Sequence, residues 1–386
     1  MRAQITVVTF LLQILISGAV FGQGSYLAVL PHIANGAYGS GSFRTTFILF
    51  NNGNTAVSGS IDLRGDIGEP LPLELVGSWL GPQSSISFTL DPGASRTLQT
   101  NGTGSLVAGS ALVSASASLG VSAIFSVYGP SGNFVTEAGV GSSEAPLRLD
   151  PPFSFVLPVD TAGAFNTGLA LRNGAGVNGT VTFRLLDTNG KEVDQASRSI
   201  RALGHLAVFA AGPGQLFPSL RSFQGTLSVQ CNVPIFAVAL RQYDDGSMLS
   251  YTSLPVVAPS AAQTTLNLAH IADGAYPDGR FKISFIVFNP GSVPADVTLA
   301  LTDNTGGPLS VNIPGSGASS TFRLSLAAGG SAFLQTDGSR ELVSGAARIT
   351  SSAPIGASAI FSVFDGGGRF RTETGVGASA VMSAFT

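Results

Sequence analysis

The feature that most constrains this chain is that it repeats itself. L-P-H-I-A-N-G-A-Y at residues 30–38 returns as L-A-H-I-A-D-G-A-Y at 268–276. F-R-T-T-F-I-L-F-N at 43–51 is matched by F-K-I-S-F-I-V-F-N at 281–289, and L-Q-T at 98–100 by L-Q-T at 334–336. S-A-I-F-S-V at 122–127 and T-E-A-G-V-G at 136–141 return as S-A-I-F-S-V at 358–363 and T-E-T-G-V-G at 372–377. His270 follows His32 by 238 positions and Phe361 follows Phe125 by 236, so a net two-residue deletion separates the copies. Similarity sustained over that length marks a duplicated structural unit.

A weaker copy fills the interval. F-V-L-P-V at 155–159 is similar to the opening strand, L-A-L-R-N-G at 169–174 to F-I-L-F-N-N at 47–52, and A-V-A-L-R-Q-Y at 237–243 to V-S-A-I-F-S-V at 121–127. The expected division is a signal segment over 1–22, then units over 23–146, 147–258 (divergent) and 259–386 (close to the first). Each unit is an ordinary domain in size. Pro146, Pro151 and Pro152 mark the first boundary and Pro255 and Pro259 the second, as short semi-stiff linkers.

Within the units the hydrophobic period is two. Leu119, Val121, Ala123, Phe125 and Val127 alternate with small or polar residues, broken only by Ile124. Ile355 to Val363 repeats the pattern, with Ser358 and Ser362 pointing outward, and Val181, Phe183, Leu185 and Val297, Leu299, Leu301 do the same. That is the signature of strands with one buried face. Thr188-Asn189-Gly190, Asp245-Gly246, Asn304-Thr305-Gly306 and Gly129-Pro130-Ser131-Gly132 supply turns, because Gly and Asn accept positive φ. No window shows a capped amphipathic helix. Short strands separated by turns predict an all-β fold of three tandem immunoglobulin-like β-sandwich domains. A repeat of this length argues against a β-solenoid.

Composition excludes other classes. Only 11% of the 386 residues are charged against 44% hydrophobic, and the net charge is −3. Disorder needs low hydrophobicity and high net charge. A nucleic-acid binder needs a basic face, and 19 Lys and Arg offset by 22 Asp and Glu do not make one. Cys231 is the single cysteine, so there is no disulfide framework, and it reads as a small buried hydrophobe.

Residues 1–22 read as a secretory signal: Arg2, an apolar run from Ile5 to Ile16, then the small residues Ser17, Gly18, Ala19 and Gly22. Retention as a short membrane anchor is the alternative. No other stretch is long and apolar enough to span a bilayer as a helix. The protein is expected to be exported, extracellular or periplasmic, with no membrane span once the signal is removed.

The chain carries no G-x-S-x-G elbow, no H-E-x-x-H and no phosphate-binding loop. No catalytic residue, metal or cofactor is expected. Four kinds of side chain remain as ligand candidates. His32 and His270 follow the opening strands, and Glu137 and Glu373 lie in the closing strands, so each His–Glu pair could hold a metal or hydrogen-bond locally. Two ligands are too few for a closed zinc site, and Glu bonded to an Arg or a backbone amide is the plainer reading. Tyr38 and Tyr276 sit in Gly-rich loops beside Phe43 and Phe281, and Trp79 occupies Gly77-Ser78-Trp79-Leu80-Gly81 without a counterpart elsewhere. Such aromatics either stack on sugar rings or cover the end of a core. Asp187 to Glu192 has some calcium-loop character but lacks the remaining carboxylates, so a hairpin turn is expected. Asn101-Gly102-Thr103 and Asn178-Gly179-Thr180 are glycosylation sequons.

The H-I-A-[ND]-G-A-Y opening, the F-x-x-x-F-I-x-F-N strand, L-Q-T and the S-A-I-F-S-V … T-E-x-G-V-G ending resemble tandem immunoglobulin-like domains of secreted bacterial proteins of unassigned function. The resemblance covers the first and third units well and the second poorly. It implies a secreted β-sandwich protein and carries no catalytic residues across. The expected function is a secreted, non-enzymatic adhesion, interaction or structural protein, working through edge strands and apolar faces at the cell surface or in the matrix. A carbohydrate-binding protein using the loop aromatics is the alternative. The partner is a protein or polysaccharide surface, not nucleic acid.

Overall fold

The computed structural model describes residues 26–39, 41–144 and 153–379. The expected signal segment and most of the first linker lie outside them. Among the described residues, apart from one short 3-10 turn at Pro259–Ala261, the regular structure is all strand, in several antiparallel sheets.

The N-terminal group comprises β1 (Tyr26–Tyr38), β2 (Gly41–Phe50), β3 (Val57–Arg64), β4 (Ser85–Leu90), β5 (Ser95–Gln99), β6 (Val107–Ala115), β7 (Gly120–Tyr128), β8 (Phe134–Gly141) and β9 (Ser143–Glu144). The middle group comprises β10 (Phe153–Asp160), β11 (Phe165–Asn173), β12 (Gly179–Asp187), β13 (Glu192–Ile200), β14 (His205–Phe209), β15 (Gln224–Cys231), β16 (Ile235–Asp244) and β17 (Leu249–Leu254). The C-terminal group comprises β18 (Gln263–Tyr276), β19 (Gly279–Phe288), β20 (Ala295–Asp303), β21 (Val311–Ile313), β22 (Gly317–Ser319), β23 (Thr321–Leu326), β24 (Ser331–Gln335), β25 (Val343–Asp365) and β26 (Phe370–Gly377).

The pairing is the same in each group. In the first, β4-β3-β6-β1 form one ladder and β5-β2-β7-β8 another, joined because the last three residues of β1 bend over to pair with β2. In the middle group the two ladders are separate sheets, β10-β15-β12-β13 and β14-β11-β16-β17. In the C-terminal group one 23-residue strand, β25, runs through both ladders. The registers equate the three copies residue by residue: Phe47 faces Ala123, Leu169 faces Ala239 and Phe285 faces Ala359. The weak middle copy therefore has the same strand plan as its neighbours.

Strands with one covered face alternate as the sequence dictates. Val181, Phe183 and Leu185 are buried on β12, and Ile86, Phe88 and Leu90 on β4, with polar residues between them. Alternation fails on β11, β16 and β19, where consecutive residues are buried. The reason is that these strands carry a second neighbour on their outer face. Leu169 and Leu171 enter the middle core, whereas Ala170 joins Val238, Leu240 and Tyr251 in the core of the N-terminal group. Ile286, Phe288 and Ile360 of the C-terminal group likewise enter the middle core, while Ile283, Phe285 and Val287 stay in their own. Ser358 and Ser362 lie on the outward face as expected, yet each is only 2% exposed, because that face is covered. Cys231 is buried with a free thiol, and burial raises its pKa. The Asp187–Lys191 segment is a hairpin turn between β12 and β13.

Candidate functional site

The repeat lets the two junctions be compared position by position. Each is made by the outer face of one group's β14- or β24-containing sheet, seated on the open side of the preceding group. At the first junction Tyr251 packs on Phe125 at 5.4 Å between ring centroids. The Tyr251 amide donates to Thr136 Oγ1 (3.0 Å), and Ser253 Oγ donates to the Gly139 carbonyl (2.7 Å). At the second junction the register puts Arg241 where Phe125 stands and Glu373 where Tyr251 stands. An aromatic contact in one junction is an ion pair in the other: Arg241 Nη1 donates to Glu373 Oε2 at 2.6 Å.

A backbone clasp accompanies each. The His205 amide donates to the Asp66 carbonyl (3.2 Å) and the equivalent Ser331 amide to the Thr188 carbonyl (3.0 Å). Beside these bonds Gly68 and Gly190 adopt positive φ, and a Cβ built on either would overlap the carbonyl oxygen of Ala202 or Ala328. Only glycine permits that approach.

His32 lies in the first junction. Its Nδ1 is 3.1 Å from His205 Nε2, and His205 Nδ1 is 2.8 Å from Asp66 Oδ1. The carboxylate can only accept, so His205 donates through Nδ1, and the proton between the rings belongs to His32 in the neutral chain. Burial, and then repulsion between like positive charges on the two rings, push the His32 pKa down to about 3. His32 is thus a neutral structural donor at neutral pH. It also lines a cavity of about 300 Å³ with Phe125, Leu240 and Tyr251.

The first junction also buries Arg172, whose Nη1 donates to Ser110 Oγ (3.0 Å), and the second holds a buried ion cluster. Arg241 bonds Asp160 Oδ2 through Nε (3.2 Å) and Nη2 (2.7 Å), and its guanidinium lies 3.4 Å from the Phe165 ring centroid. Two carboxylates thus share one guanidinium. Burial pushes the Glu373 pKa up to about 7, offset in part by Arg241 and reinforced by Asp160. Glu373 Oε1 is buried without a hydrogen-bond partner among the described residues. Replacing a buried ion pair by packed apolar groups is often neutral or stabilising. Burying Ile286, Phe288 and Ile360 gives about 1.5–3 kcal/mol each. The apolar contacts therefore hold the junction, and the ions select which surfaces meet.

The remaining candidates are dispersed. Glu373 meets Arg241 rather than His270, although both line a cavity of about 780 Å³ on the open side of the C-terminal group. His270 is exposed over Phe361, 5.1 Å between centroids. Glu137 is exposed and takes a 3.3 Å bond from Ser126 Oγ. Tyr38, 49% exposed, rests its edge on Phe43, and Tyr276 packs on Phe281. Trp79 is 89% exposed, beside the exposed Val76 and Leu80. Among the described residues no three His, Cys, Asp or Glu side chains are grouped to hold a metal ion, and no helix is long and apolar enough to cross a membrane.

His205, Asp66, Arg241 and Asp160 were not singled out by the sequence reading. A signal for two of them existed. Aligned to the outer copies, Arg241 falls on a Phe and Asp160 on Ala34, and a charge at a core position of a repeat marks a changed environment. No family model, curated protein or solved structure matches this chain.

Proposed function

We propose that this is a secreted, non-enzymatic interaction or structural protein built from three tandem immunoglobulin-like β-sandwich domains. One observation carries the reading: the ionisable side chains at the junctions bond to one another, His32 to His205 and Arg241 to Glu373 across them, and Arg241 to Asp160 within the middle group. They select which surfaces of neighbouring units meet, while apolar contacts hold those surfaces together. The few exterior charges and the signal-like leader support a role outside the cell. The test is a binding panel with the purified chain against soluble and insoluble polysaccharides and cell-surface protein fractions, with and without chelator, beside hydrolase substrates. Binding without turnover supports the proposal, and turnover lost in His270→Ala overturns it.

A carbohydrate-binding role is favoured by the exposure of Trp79 on an apolar loop tip. An exposed indole presents a flat apolar face suited to a sugar ring. Saturable glycan binding abolished by Trp79→Ala or Tyr276→Ala establishes that reading in place of the first.

A further inference from the structure

The T-E-x-G-V-G strands of the outer copies have inverted exposure. On β8, Thr136, Ala138 and Val140 are buried and Glu137 is exposed. On β26, Thr372 and Thr374 are exposed and Glu373 is buried. The cause is position in the array. The N-terminal group offers its open side to the middle group, and the C-terminal group offers its outer sheet face. Each terminal group therefore keeps free the surface that the other has covered.

The free outer face belongs to β5-β2-β7-β8. Phe50 is 36% exposed, whereas the equivalent Phe288 is fully buried at the second junction. Ile48 and Ile124 stand where Ile286 and Ile360 are buried, and Phe134, 55% exposed, stands where Phe370 stacks on Tyr243. The free open side belongs to the C-terminal group. It is the cavity bounded by His270, Phe281, Leu342, Phe361 and Thr372. Among the described residues the clasp has no counterpart at either end. The turn Asp303–Gly307 repeats the hydrogen bonds of Asp187–Lys191, yet a Cβ built on Gly306 would meet nothing within 4 Å. The same holds for Gly93 at the opposite end.

We infer that this chain associates head to tail with a second copy of itself, the outer face of one copy's N-terminal group seating in the open side of the next copy's C-terminal group. The occupant is argued from the two internal junctions, which show the same face in the same opening twice. By that registry the Ser95 amide meets the Asn304 carbonyl, and Ile124 and Phe134 enter the cavity. Glu137 arrives at the opening lined by the exposed His270, an acid beside a base. This deepens the structural reading above and rests on it. The contact is heterologous, so association builds rings or open chains instead of closing as a two-fold dimer.

The test is sedimentation velocity of the purified chain over a concentration series, with Ile124→Arg (face blocked) and Thr372→Arg (opening blocked). Thr372 is exposed and Ile124 half-buried on the free outer face, and unchanged thermal melts confirm folding. The wild type forms species that lengthen with concentration, and each variant alone is monomeric, its self-affinity reduced by about tenfold or more. Mixed, the two variants form a one-to-one complex and nothing longer, since each retains one working end. A wild type that stays monomeric, or variants that do not complement, overturns the inference. If that monomer still binds a glycan or another protein, the interaction reading survives without self-association.

Discussion

Acid should loosen the first junction through His32. Its folded pKa of about 3 lies below the ordinary 6.5, so the folded state resists a proton that the unfolded chain accepts. A base with a depressed pKa contributes stability that is full above 6.5 and is lost as pH falls toward 3. Linkage gives a loss of about 2 kcal/mol between about pH 7.5 and pH 5, rising to about 3 kcal/mol near pH 4. The measurement is urea unfolding followed by far-ultraviolet circular dichroism at each pH, for the wild type and His32→Gln. Glutamine keeps a donor toward His205 but does not titrate. His205 and His270 remain in both proteins, so the difference between the two pH slopes isolates His32. The variant should lose about 2 kcal/mol less than the wild type on acidification. Parallel losses would refute the argument that His32 is held neutral by burial in the junction.

Other outcomes follow from the same geometry. Arg241→Ala leaves Asp160 and Glu373 buried without a counter-charge and should cost about 3–5 kcal/mol by urea melt. Glu373→Gln should cost little and change the pH dependence with the opposite sign to His32. An acid raised to about 7 stabilises fully below its ordinary 4.5 and loses that contribution as pH climbs through 7, so the variant should gain on the wild type above neutrality. Gly190→Ala and Gly306→Ala impose the same strain at φ +78 and +86, but only the first also meets a neighbouring carbonyl. The difference between their thermal melts should therefore report the clasp, with Gly190→Ala the more damaging. Trp79→Ala should shift stability by less than about 0.5 kcal/mol, because the side chain packs on almost nothing.

The strand plan was legible because period-two runs and Gly turns are local signals. Val181 to Leu185 and the Gly190 turn needed no tertiary information. The junctions were less legible. Ala170 and Leu171 are adjacent, yet they face different cores, so β11 shows no alternation to read. The repeated opening motif marks His32, but its partner His205 lies 173 positions away in another group. The approach of first and last strands pairs Glu373 with His270 on sequence grounds alone. The charge that reached it came instead from Arg241, in the copy where the motif had dissolved.

The middle sheet β14-β11-β16-β17, covered on both faces, accounts for the uneven likeness among the three copies. A terminal copy answers to one neighbour and keeps its other face at liberty. The middle copy answers to two, so its open side and its outer sheet are both dictated from outside. Arg241, Tyr251, Arg172 and His205 all stand on those two faces, at positions where the outer copies hold Phe, Glu, Phe and Ser. What looks like decay of a repeat is the imprint of its neighbours, and resemblance along this chain records how many sides of each copy are free.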